Sequence, residues 1–310
     1  MKISLLILLF SIVVISTSAF YGLHNIAYAH TFSGDESASF LILIEEISTE
    51  SHLIERSLIN NVTLAQIIAE RISHLVTPED LEEISEKNKL VANSLNESLS
   101  DLENSFNFTN KIVLAEIKQK IKNLDDILGE VVSVRIEKEQ LTNNTVNALV
   151  LNDLIGKALQ SYSKALDIKA DVHSEEYEGE HAEEKDGQQD IEDRTEMNIS
   201  PESNSVVNIS TIDSAKNQDT SNENITKVKI VNQVEYQIAQ ELFNKSIEKF
   251  NELKPFVPSN ISNLSSILES SLAKLKNAVD NKESFEVIDN IIDGQVTPHL
   301  ESIFKIKIEK

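Results

Sequence analysis

From Phe40 onward the apolar side chains Phe40, Leu43, Ile44, Ile47, Ile54 and Leu58 fall on three- and four-residue spacings, and the same pattern returns in most later segments. A 3.6-residue period lines such positions up along one stripe of a helix, whereas a half-buried strand would need strict alternation. The chain has only 7 glycines and 5 prolines to interrupt it, and Leu, Ile, Glu, Lys, Asn and Ser dominate. The expected fold class is all-α: an antiparallel helical bundle, then a disordered acidic linker, then a second, smaller helical unit.

The first helix is expected to start near Asp35 and end at Asn60-Asn61. A second begins at about Thr63, whose hydroxyl can cap it, and carries Leu64, Ile68, Ile72 and Leu75. Thr77-Pro78-Glu79-Asp80 combines an N-cap, a proline at the first helical position and acidic residues in the first turn, so a third helix starts there. It carries Leu81, Ile84 and Leu90 and is expected to break near Asn93. Further helices are expected over about 94–104, 110–129 or beyond, and 145–168, closing a bundle over residues 30–170.

Periodicity is lost over 171–225, where 16 acidic residues face 3 basic ones and neither phenylalanine nor leucine occurs. So little apolar surface cannot offset the entropy of ordering a chain, and the composition predicts a disordered linker. The second helical unit, 226–310, opens with Val234, Ile238, Leu242, Ile247 and Phe250, pauses at Pro255-Phe256-Val257-Pro258, and resumes through Leu264, Leu268, Leu272 and Leu275. A helix over about 283–293 with a stop at Gly294, then a helix begun by Pro298, would finish it. So short a unit forms only a small core, which leaves docking onto the first bundle open.

Met1-Lys2, the apolar run from Ile3 to Phe20 and the triplet Ala27-Tyr28-Ala29 have the order of an export signal, giving a signal peptide over 1–29 and a mature chain starting at His30. The apolar run is longer than the usual h-region of about 7–15 residues, so a retained membrane anchor is the alternative, and membrane contact is expected only in that case. Ten asparagines stand in Asn-x-Ser/Thr context: Asn61, Asn96, Asn107, Asn143, Asn198, Asn208, Asn224, Asn244, Asn260 and Asn263. A composition rich in both residue types makes some of these triplets by chance, and a decorated surface glycoprotein accounts for them equally well.

Cysteine is absent, so neither disulfides nor thiolate chemistry is available to an exported chain and packing must stabilise the fold. There are 28 basic and 51 acidic residues, a formal charge of -23, which repels nucleic acid and anionic lipid and favours divalent cations or basic partners. No Gly-x-Ser-x-Gly elbow or phosphate-cradling glycine loop occurs, and the chain is read as a non-enzyme.

Histidines are the strongest soft donors present. His30, once N-terminal, offers an amine and an imidazole that together chelate Cu(II). His52 and Glu55 share a face of the first helix, Glu70 and His74 a face of the second, and a hairpin turning at Asn60-Asn61 would bring Glu70 beside His52 and Glu55. A copper or iron site built from His52, Glu55, Glu70 and His74 is one expectation, and an ordinary boundary histidine on a helix is the other. The acidic tract from His173 to Glu184 has no calcium-loop spacing and reads as solvated chain.

Val231-Asn232-Gln233-Val234-Glu235-Tyr236-Gln237-Ile238-Ala239 resembles the Asn-x-x-Glu-Tyr helix start of helical extracytoplasmic domains attached to oxidase-dependent iron permeases. His30 to Ala38 and Gly294 to Leu300 are similar to exported helical proteins of ammonia-oxidising archaea. The permeases' Arg-Glu-x-x-Glu iron motif has no counterpart, so the resemblance implies an extracytoplasmic module associated with metal uptake and not the transport step. The expected role is that of an exported or surface-tethered, non-enzymatic helical protein working through contacts with an envelope or membrane protein; the alternative is extracytoplasmic copper or iron binding.

Overall fold

The computed structural model describes residues 34–106, 113–168 and 227–308. Among them are ten α-helices and no strand, so the all-α expectation holds. The expected signal peptide over 1–29, the acidic stretch over 171–225 and the tract His173 to Glu184 lie outside the described residues.

Helix α1, Gly34–Ser57, leads through a turn to α2, Val62–Ser73. The cap of α2 is Asn61, whose Oδ1 accepts from the Leu64 amide, and not the hydroxyl of Thr63. Helix α3, Pro78–Asn104, begins as its sequence dictates: Thr77 Oγ1 accepts from the Asp80 amide while the Asp80 carboxylate accepts from the Thr77 amide. The break expected near Asn93 is instead a kink at Asn88 (φ -155°, ψ 99°), whose side chain accepts from the amides of Leu90 and Val91 and so restarts the helix. The backbone groups freed by the kink find a local partner, which is how an asparagine interrupts a helix without ending it.

Helix α4, Leu114–Arg135, a short α5, Lys138–Leu141, and α6, Asn144–Ala165, complete the first stretch. After the acidic segment come α7, Gln233–Leu253, α8, Ser262–Asp280, and α9, Phe285–Ile291. Gly294 does not stop the chain. It lies in a π-helical turn, Ile292–Val296, that carries α9 directly into α10, Thr297–Phe304. Pro298 has no amide to offer the preceding turn, and the Thr297 amide reaches back five residues to the Ile292 carbonyl.

Packing joins what lies before and after the acidic segment. The most extensive helix pairing is α6 with α7, and all described residues fall in one compact unit. Small buried residues, Ala158, Ser161 and Ala165 on α6 and Ala239 and Ser246 on α7, keep side-chain bulk low on both helices. The pair runs antiparallel, since the amides of Val231 and Asn232 at the start of α7 both donate to the Ala165 carbonyl at the end of α6. Tyr162 and Tyr236 meet there as a tilted pair with ring centroids 6.2 Å apart, and their hydroxyls donate to the carbonyls of Glu283 and Val279.

Helix α1 is wrapped by α2, α4, α6 and α7. Its buried residues therefore spread well beyond the single stripe read from sequence, to Ile42, Glu46, Glu50 and Leu53. A helix with four neighbours buries most of its circumference, and polar residues are drawn in with it. No helix among the described residues is long and apolar enough to cross a membrane.

Candidate functional site

Two polar sites are built on α1, at interleaved positions. The first centres on Arg71, set on α2 beside its buried row Leu64, Ile68 and Ile72. Its Nε donates to both oxygens of Glu50, at 2.9 and 3.0 Å, its Nη2 to Glu46 at 3.0 Å, and its Nη1 to Glu235 of α7 at 3.3 Å. The Glu50 and Glu46 side chains are 0% and 3% exposed, so these are interior charges and not surface decoration. Lys157 of α6 approaches Glu46 at 3.5 Å from the solvent side.

Two partly exposed cations thus meet three carboxylates, two of them buried. Burial pushes the Glu50 carboxyl up to about 7 against the pull of Arg71, with the neighbouring Glu46 and Glu235 charges adding to the rise. Glu235 Oε2 is buried and accepts no hydrogen bond from the protein. Further along the same seam Arg56 reaches Glu241 at 2.7 Å, and Lys245 and Lys249 both reach Glu45, at 3.0 and 3.2 Å, so α7 is charge-matched to α1 along its length.

The second site is an open cleft of about 430 Å³ lined by α1, α4 and α7, with Leu141 of α5 and Asn147 of α6. Glu45, Ser48, His52, Asp125, Asn147 and Lys249 supply its polar lining over an apolar floor. His52 Nε2 lies 3.2 Å from Asp125 Oδ2, and Ser48 Oγ donates to Asp125 Oδ1 at 3.2 Å. The hydrogen bond to Asp125 raises the His52 imidazole above its ordinary value, while partial burial opposes it. Ser, His and Asp meet here, but in an order unlike that of a hydrolase. Serine and histidine both point at the carboxylate, so the imidazole is not placed to take the serine's proton.

The structure does not gather the expected metal ligands. His52 pairs with Asp125, and Glu55 pairs with Lys118 at 2.6 Å. Glu70 and His74 are exposed on α2, His74 closing that helix through its backbone amide. Among the described residues no group of three or more His, Asp or Glu side chains is arranged to hold a metal ion. The hairpin turns as expected, but α2 presents Arg71 to α1, which carries Glu70 outward. His30 lies outside the described residues.

Of the sequon asparagines, Asn61, Asn96, Asn143, Asn260 and Asn263 are exposed and Asn244 is half-buried; Asn107, Asn198, Asn208 and Asn224 lie outside the described residues. Asn61 and Asn143 use their Oδ1 atoms to cap α2 and α6, which leaves the amide nitrogen of each directed elsewhere.

Sequence reasoning missed Arg71, Glu46, Glu50 and Asp125. The available signal was an i,i+4 pair of glutamates in a helix too apolar to lie on a surface, followed by an arginine between Ile68 and Ile72. Glu235 was read only as part of the Asn-x-x-Glu-Tyr start, whose three residues each have a structural task. Asn232 caps α7 through the amides of Val234 and Glu235, Glu235 meets Arg71, and Tyr236 bonds to α8. Comparison of the chain with protein-family models, with curated proteins and with solved structures gave no match.

Proposed function

We propose that the chain is an exported or surface-tethered helical protein that acts without catalysis, through contacts with another envelope or membrane protein. The observation that carries this reading is the pairing of an N-terminal export signal with sequons whose asparagines, wherever described, stand at or near the surface. A sequon buried in a helix core would be an accident of composition; Asn96, Asn260 and Asn263 are exposed and cap no helix through a side-chain bond. Net charge supports basic or cation-bridged partners over nucleic acid.

The test is glycosite mapping together with in-cell crosslinking on protein from its own host's envelope. Glycan on Asn96, Asn260 or Asn263 and a reproducible crosslinked envelope protein are expected. Unmodified asparagines, an intact leader and no crosslinked partner would overturn the reading. The metal-handling alternative rests on His30 as a free N-terminus, and an intact mass showing a chain that starts at His30 with stoichiometric copper would favour it.

A further inference from the structure

We propose that the Arg71 cluster is a proton-dependent latch: with a proton on the cluster, α7 is held closely against the α1–α2 hairpin, and loss of that proton loosens the N-terminal part of α7.

The geometry leads there in three steps. Among the described residues Arg71 is the one cation that touches all three carboxylates, Nε on Glu50, Nη2 on Glu46 and Nη1 on Glu235. With every carboxyl ionised, Arg71 and Lys157 leave one negative charge uncompensated beside the buried Glu46 and Glu50 side chains, a costly arrangement. A proton on one carboxyl removes that surplus and adds an O–H donor to a cluster that contains an unsatisfied acceptor, Glu235 Oε2. The carboxyls interact closely, so the proton belongs to the cluster, with Glu50, the most buried of the three, its main holder.

The charged groups facing this proton come from four helices. They are Glu46 on α1, Arg71 on α2, Glu235 on α7 and, through Glu46, Lys157 on α6. Asp153, one turn before Lys157, adds a further carboxyl whose own proton affinity is raised by burial. The placement gives the latch its consequence. Glu235 stands in the first turn of α7, where the chain re-enters the fold, beside the Asn232 cap, the backbone bonds of Val231 and Asn232 to Ala165 and of Val228 to Lys282, and the Tyr236 hydroxyl bond to Val279. Repulsion between ionised Glu235 and Glu50 therefore acts on the first turn of α7, where that helix meets α1 and α2.

The test uses the full chain carrying ¹³C-labelled glutamate carboxyls, with Glu50→Gln and Glu235→Gln as assignment variants. One glutamate carboxyl is expected to titrate near 7 and to vanish in Glu50→Gln. Hydrogen-exchange protection over residues 233–241, corrected for intrinsic rate, should fall about tenfold or more between about pH 6 and about pH 8 in the wild type, and should not change in Glu50→Gln. A parallel His52→Gln sample keeps the imidazole out of the result. If Glu50→Gln does not fold, Glu235→Gln, which removes the repelling charge on α7, must flatten the same response. Ordinary titration of every glutamate, equal protection of α7 at the two pH values, or wild-type pH dependence in the folded variants would overturn the proposal.

Discussion

Glu46 and Glu50 on one side of α1, and Ser48 and His52 on the other, are interleaved in sequence yet live in different media. Two residues of helix rotate a side chain about 200° at about 100° per residue, so alternate positions here face α2 and α7 on one side and α4 on the other. The inner pair is sealed with Arg71 and Glu235; the outer pair opens onto a cleft, with the His52 side chain 53% exposed. Both are hydrogen-bonded ion pairs by geometry. Their energetic weight differs because water can replace a lost partner at the outer site and cannot at the inner one.

That contrast is broken most directly at Arg71. Arg71→Met should cost about 3–5 kcal/mol in urea denaturation, because it leaves the buried Glu50 carboxyl with no cation and the buried Glu46 with only Lys157. If the loss were no larger than that of a surface substitution, the inner site would be solvated in reality and the distinction would fail.

Titration is the next sharpest probe, and both sites shift stability in the same direction. Glu50 binds its proton more tightly when folded than at its ordinary value of 4.5, so the folded state takes up more protons between 4.5 and about 7 and stability declines as pH rises across that window. His52, also raised, contributes stability that is present below 6.5 and is lost as pH climbs through its folded value. Denaturation from pH 4.5 to 8 should therefore show a decline that Glu50→Gln largely abolishes and His52→Gln only trims. A stability that rises over this range would contradict the burial of Glu50.

Smaller effects follow outside the inner site. Tyr162→Phe removes a 2.6 Å hydrogen bond from α6 to the Glu283 carbonyl and should cost about 1 kcal/mol by thermal unfolding. His52→Gln and Asp125→Asn should each stay within about 1 kcal/mol, and the double variant should show little coupling between them, as is usual for exposed pairs. A strong coupling would place the outer site nearer the inner one in character.

Much of the fold was legible because it rests on local rules. The starts of α1 and α3, the proline pause after α7 and the helical class all follow from apolar period and cap chemistry. What stayed hidden depends on neighbours distant in sequence. Asn88 and Asn93 are equally able to interrupt α3, and packing against α4 and α2 selects among such positions. Gly294 is compatible with a stop, yet a π turn absorbs it together with Pro298.

The site was less legible for a related reason. Histidines attract notice by type, and His52 is indeed placed on a shared surface, but its partner is Asp125, seventy-three positions away, and not Glu70. Arg71, Glu46, Glu50 and Glu235 are common residue types, made unusual only by the convergence of α1, α2 and α7 across the acidic segment.

The helices before and after that segment form one cooperative body, joined by the α6–α7 pairing. The most direct test is to introduce a protease site within residues 171–225, cleave the purified full-length chain, and follow the product by size exclusion and urea denaturation. Two fragments that travel together and unfold in a single transition are predicted from the α6–α7 pairing and the Arg71 seam. Fragments that separate on the column, or unfold in two independent transitions, would contradict it.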